Sequence, residues 1–112
     1  MKYIIAIIQP DRLDDVLDRL TQKEVHLVTV SSVFGRGRQK GIQEVYRSHR
    51  EAGLLKKLKL EIAVNDDYVK SAVEAVTLGA RTGKIGDGKI FILDMKECIR
   101  IRTGETGGTA IG

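Results

Sequence analysis

The sequence predicts a single α+β domain in which an antiparallel sheet carries two helices on one face. Three observations predict it. An isoleucine-rich run opens the chain, two later stretches repeat apolar residues at helical spacing, and the remaining apolar segments alternate as strands do. Together they give the order strand, helix, strand, strand, helix, strand. The 112 residues support one domain, residues 1–112, and a domain this small leaves about a third or more of its unfolded-chain surface exposed.

The first strand is residues 3–8, apolar without polar alternation, as expected of a central strand covered on both faces; Pro10 ends it. From Asp11, the spacing of Leu13, Val16, Leu17 and Leu20 marks one helix face, with Asp14, Asp15, Asp18 and Arg19 opposite. Residues 25–34, rich in β-branched side chains, read as the second strand. In the third, Leu58, Leu60, Ile62 and Val64 alternate with Lys57, Lys59, Glu61 and Ala63. Asn65 is the expected cap of a second helix whose inner face is Val69, Ala72, Val73, Val76 and Ala80, and residues 89–93 form the last strand. Between the second and third strands lies a long polar loop at about residues 37–55, far beyond hairpin length, and loops of that kind are usually functional. A C-terminal loop follows at about 103–112. One face of the sheet is left uncovered by the helices, which predicts association with further copies of the chain.

Composition narrows the class. Apolar residues make up 42%, which argues against disorder, and the single cysteine, Cys98, has no internal partner. With no secretory start or membrane-length apolar run, the expected location is cytoplasmic. The net charge of +4 is spread among interleaved acids and bases and by itself indicates no partner.

Three segments carry the chemistry. Gly35-Arg36-Gly37-Arg38-Gln39-Lys40-Gly41 sets glycines among cations, so backbone N–H groups can approach an anion closely. It is neither a Walker loop nor a dinucleotide fingerprint, and alone it reads equally well as a solvated loop tip. Arg81-Thr82-Gly83-Lys84-Ile85-Gly86-Asp87-Gly88-Lys89 repeats the theme after the second helix, where the bland alternative is a helix C-cap. Arg100 and Arg102 alternate with Ile99 and Ile101, which places two guanidiniums on one face of an extended segment. Three cationic segments in so short a chain favour one polyphosphate site over three coincidences.

Through these motifs, the Tyr46-Arg47 pair and Lys57-Leu-Lys-Leu-Glu61, the chain resembles the nitrogen regulatory P-II proteins from Met1 through Ile111. The resemblance implies a ferredoxin-like fold, a homotrimer, and three clefts between subunits where ATP and ADP compete and 2-oxoglutarate joins Mg-ATP. Carried over residue by residue, Thr29, Gly35, Gly37, Arg38 and the turn Thr82, Gly83 and Lys84 line the cleft near base and sugar, with Ala63 at a position usually held by Val. Gly86, Asp87, Gly88 and Lys89 hold phosphates, and Arg100 and Arg102 reach in from a neighbour. Gln39 is the magnesium ligand, and Gln39, Lys40, Gly41 and Lys57 surround the oxo acid. The loop then docks onto an ammonium transporter, another membrane transporter or an enzyme of nitrogen metabolism, recruiting the protein to the inner membrane face, with Arg47 as the plugging residue.

The chain departs from the family pattern in places. No tyrosine follows the Tyr-Arg pair within residues 47–53, so no uridylylation is expected, and the loop is about one residue short with a cationic tip of Arg47, His49 and Arg50. Gln9 stands where many members have Arg, removing a cation near the oxo-acid pocket, and with the atypical loop this opens a second reading: an adenylate-only sensor acting on a different transporter, such as a cation-efflux pump. Ser48 reads as unmodified, His26 and His49 as surface residues, and Cys98 as a structural thiol. RNA binding is disfavoured because Phe34 and Phe91 form no stacking motif, and catalysis because no carboxylate or histidine is placed as a base.

Overall fold

The structure, a computed structural model, describes residues 1–37 and 53–112. Strand β1 (Lys2–Ile8) leads through a 3-10 turn at Pro10–Arg12 into helix α1 (Leu13–Gln22). Strands β2 (Thr29–Gly35) and β3 (Leu55–Val64), helix α2 (Asp66–Ala80), strand β4 (Gly88–Asp94) and a short helix α3 (Gly108–Ile111) follow. The sheet has the order β2-β3-β1-β4 with every pair antiparallel, the ferredoxin-like arrangement.

Register explains which side chains become core. Ile4 lies opposite Ile62 and Ile92, Ala6 opposite Leu60 and Ile90, and Ile8 opposite Leu58 and Gly88. Directly opposed residues share a face, and this face meets the helices through Val16, Leu20, Ala72, Ala75 and Val76. Each fully buried side chain of Ile or Leu size contributes about 1.5–3 kcal/mol over its exposed state. Val16 and Leu20 are the fully buried pair of the α1 stripe, with Leu13 and Leu17 packed at its margin. On α2 the stripe includes Ala75 and Gly79 beyond the periodicity read from sequence. A Cβ at Gly79 would stand 2.8 Å from the Val16 Cα, so this glycine sets how closely α1 and α2 approach. Arg12 fixes the same corner, its Nε donating to the Gly79 carbonyl at 2.9 Å.

The opposite face carries Tyr3, Ile5, Ile7, Ala63, Phe91 and Leu93 around a polar line of Lys59 and Glu61. Tyr3 donates its hydroxyl to the Glu61 carboxylate, and Lys59 lies 3.7 Å from that group. Phe91 and Leu93 are 49% and 47% exposed, a large apolar area for a chain of this size to leave in water.

Four expectations need correction. The second strand begins at Thr29, not residue 25, because the exit from α1 uses the intervening residues: Glu24 has φ 62° and the Val25 N–H returns to the Leu20 carbonyl. The third strand begins at Leu55, where it pairs with Gly35, two residues before the alternation read from Lys57. Asn65 occupies the cap position of α2 but makes no capping bond; its Nδ2 donates to the Gly108 carbonyl and ties down the C-terminal segment. Residues 99–102 are not an extended strand. Ile99 bridges Thr106, residues 101–103 form a turn, and the Gly104 N–H closes it onto the Arg100 carbonyl.

Candidate functional site

Beside the end of the sheet where Ile8 meets Gly88, two of the three cationic segments and strand β3 border one cleft of about 580 Å³. Its walls are Gly35, Arg36 and Gly37 from the loop base, Leu55 and Lys57 from β3, Ile85, Gly86, Gly88 and Lys89 from the turn before β4, with Ile7 and Phe91 from the uncovered face. That volume is in the range of small-molecule sites. The cleft thus unites the glycines of two separate motifs that sequence alone could only count.

Two features fit an anion. First, Lys57 is the sole buried charged residue among the described ones, 8% exposed, and its Nζ donates to the Gly86 carbonyl at 3.2 Å. Burial lowers its pKa from the usual 10.5, and the Asp87 carboxylate offsets part of that. A lysine whose folded pKa lies below its unfolded value carries a penalty in the charged form at neutral pH, relieved only as pH rises through the depressed value toward 10.5. We therefore expect Lys57→Met to leave folding stability unchanged or raised by less than about 1 kcal/mol in denaturant titration, while weakening anion binding in the cleft. A clear loss of stability would show Lys57 to be a structural cation. Second, Gly88 (φ 111°) has no room for a side chain: a Cβ would lie 1.7 Å from the Ile7 carbonyl oxygen. The turn backbone is therefore pressed against β1 with its surface open to the cleft.

Asp87 shapes the turn. Its Oδ2 accepts from the Thr82 and Gly83 N–H groups at 2.8 and 2.9 Å, and its Oδ1 from the Thr82 hydroxyl. The Thr82 hydroxyl and N–H hold its pKa below the ordinary carboxylate value. With its carboxylate turned onto the Thr82 end, Asp87 acts on the cleft by fixing the loop around Gly86 and Gly88. Thr82, Gly83 and Lys84 stand outside the cleft lining, on the far limb of that loop.

Other expected site residues stand away from this cleft: Thr29 at mid-sheet on the edge strand β2, since its partner Glu61 lies opposite Ile5, and the rest toward the opposite end of the sheet. Thr29 pairs with Glu61 and Ala63 with Tyr3, and Met95 returns its N–H to the Met1 carbonyl. There the C-terminal hairpin holds Arg100 and Arg102, with Gly108 bonded to Asn65 at the start of α2. The seven residues of β1 separate the two ends by roughly 20 Å at ~3.3 Å per residue. One chain therefore does not bring Arg100, Arg102 and Ala63 to the cleft that holds Lys57 and Lys89, and Thr29 is not among the residues that line it. Arg38, Gln39, Lys40, Gly41 and Arg47 fall outside the described residues.

Ile7, Arg36, Ile85 and Phe91 line the cleft without having stood out in the sequence as site residues. Ile7 and Phe91 reach it only through the register of β1 against β4, which no spacing rule reveals. Among the described residues no three His, Cys, Asp or Glu side chains converge as a metal group, and His26 is exposed.

Fold and cleft together define a ferredoxin-like domain with a cationic, glycine-lined recess at the root of its long loop. Its sequence matches the family profile described as nitrogen regulatory protein P-II over residues 1–105. It is 52% identical to nitrogen regulatory protein GlnK1 of Methanosarcina mazei, an alignment covering 99% of this chain and 97% of that protein. Identity is 50% to nitrogen regulatory protein P-II 2 of Methanothermobacter thermautotrophicus and 49% to nitrogen regulatory protein P-II of Rhizobium etli. Those two alignments cover 99% of this chain and 97% and 100% of the relatives. The chain belongs to the nitrogen regulatory protein P-II family, whose members are signalling regulators and not enzymes.

Proposed function

We propose that this regulator senses adenine nucleotides at clefts between the subunits of a homotrimer and reports the occupant through its long loop. The observation that carries this reading is the division of the cationic residues. Lys57 and Lys89 border the recess at one end of the sheet, while Arg100 and Arg102 stand at the other, about one strand length away. A second copy, packed through the face that exposes Phe91 and Leu93, supplies the missing arginines, along with Thr29 and Ala63. ATP or ADP then lies with its phosphates along residues 86–89 and the neighbour's guanidiniums, which bind phosphate through charge-assisted hydrogen bonds.

The residues present suit such a ligand: a buried ammonium, a turn with exposed backbone and a recess of sufficient volume. In the same reading Gln39 holds magnesium, and Gln39, Lys40, Gly41 and Lys57 hold 2-oxoglutarate beside it. Occupancy then biases the loop between conformations, one of which presents Arg47 to an ammonium transporter, another transporter or a nitrogen-metabolism enzyme at the inner membrane face. No described helix is long and apolar enough to cross a membrane.

The second reading, an adenylate-only sensor acting on another transporter, rests on Gln9 in place of a cation at the end of β1. Calorimetric titration of ATP with magnesium, with and without 2-oxoglutarate, separates the two. Binding strengthened by the oxo acid supports the nitrogen and energy sensor, and binding without coupling supports the adenylate sensor. Absence of any ATP or ADP binding would overturn both.

A further inference from the structure

We propose that Glu105 acts as an internal stand-in for phosphate, holding the Arg100 guanidinium until a nucleotide displaces it. The inference rests on the nucleotide reading above and adds to it a residue of this chain that sets the affinity of that site.

The hairpin builds the contact from the backbone. The Arg100 N–H donates to the Glu105 carbonyl at 2.9 Å, the Gly107 N–H to the Cys98 carbonyl at 2.9 Å, and Gly104 turns the chain with φ 73°. Arg100 and Glu105 are thereby brought side by side, and the Arg100 Nη1 donates to Glu105 Oε1 at 3.1 Å. A second arm of the guanidinium, Nη2, donates to the Thr109 carbonyl at 3.3 Å. Thr103 adds its hydroxyl to the same Oε1 at 2.8 Å. The hairpin closes without the Glu105 carboxylate, because the Glu97 Oε1 takes the Cys98 and Gly107 N–H groups.

The carboxylate is therefore free to leave without unravelling the segment. Its ion pair is weak for a physical reason: both side chains are part-exposed, 29% for Arg100 and 43% for Glu105, and water screens such pairs. A polyphosphate offers the same guanidinium more charge and more acceptor oxygens, so it wins the exchange. Once displaced, a carboxylate left close to the phosphates repels them, so Glu105 lowers affinity in both the empty and the filled state. The adjacent Arg102 has no comparable acid, which makes Arg100 the guarded cation of the pair among the described residues.

The test is calorimetric titration of ATP, and of adenosine as a phosphate-free probe, into wild-type protein and Glu105→Gln. Glutamine keeps the shape and an acceptor for Thr103 and Arg100 while removing the charge. The expected result is an ATP affinity about three- to fivefold tighter in the variant at low ionic strength, the size of an exposed ion pair. The gain should shrink toward unity at high salt, with adenosine affinity unchanged. Unaltered or weakened ATP affinity in Glu105→Gln, with wild type binding normally, would overturn the stand-in role. An equal gain for adenosine would do the same, because it would show a steric effect unrelated to phosphate. Failure of wild type to bind ATP or ADP at all would instead remove the nucleotide reading, and this inference with it.

Discussion

Replacing Gly88 with alanine should destabilise the fold by about 2–5 kcal/mol and abolish ligand binding in the cleft at any concentration where the chain remains folded. Two effects combine. Gly88 sits at φ 111°, a backbone region side chains rarely adopt, and the added methyl would lie 1.7 Å from the Ile7 carbonyl oxygen, a backbone atom. Relief requires the start of β4 to move away from β1, breaking the pairing of Ile8 with Gly88. The same movement carries Gly86 and Lys89 out of the cleft wall that they share with Lys57. Denaturant unfolding and ATP titration on the same sample check both parts. Gly83→Ala is the comparison: it also has a positive φ of 87° but meets nothing within 4 Å, so strain without overlap is expected there, with a loss of about 1–2 kcal/mol. Equal effects at the two positions would show that close packing against β1 is not what Gly88 serves.

Lys89→Ala and Arg100→Ala should each weaken ATP binding by roughly 10- to 100-fold, the range for one charge-assisted hydrogen-bonding group. Mixing the two variants after unfolding and refolding together should restore wild-type affinity in a fraction of the sites. The expectation follows from the roughly 20 Å between the two ends of the sheet, which prevents Lys89 and Arg100 of one chain from sharing a ligand. In a mixed assembly, the Arg100→Ala subunit still presents Lys89, and its Lys89→Ala neighbour still presents Arg100, so one interface regains both. Isothermal titration of the refolded mixture should show a tight class of sites that neither variant has alone. Persistence of only weak binding in a verified mixed oligomer would place both residues in one subunit's site, or outside it, and would overturn the shared cleft.

The strands with one apolar face and the helix with Leu13, Val16, Leu17 and Leu20 at helical spacing are legible in the sequence because burial follows periodicity within an element. The family is legible too, since Gly35-Arg36-Gly37, the turn from Arg81 to Lys89 and the Arg100-Ile-Arg102 run are local motifs. Locality is also why Ile99 to Arg102 misleads as a strand. Two apolar residues alternating with two arginines fit an extended face equally well, and the partner that makes them a turn, Thr106 opposite Ile99, is chosen by hydrogen bonding beyond the motif.

The order of elements, the buried stripe of each and the presence of three cationic segments are properties of the sequence alone, because they depend on residues a few positions apart. Tertiary structure decided the rest. It brought Lys57, Gly86 and Gly88 to one cleft and buried the Lys57 ammonium there. It turned the Asp87 carboxylate onto the Thr82 end of its loop and sent Arg100 to the far end of the sheet beside Glu105. The Asp87 and Glu105 contacts close over four or five residues, whereas the assembly of the cleft and its distance from Arg100 follow from strand register and from the length of β1. Both are set by how four strands pair across the whole chain, so no single segment contains them.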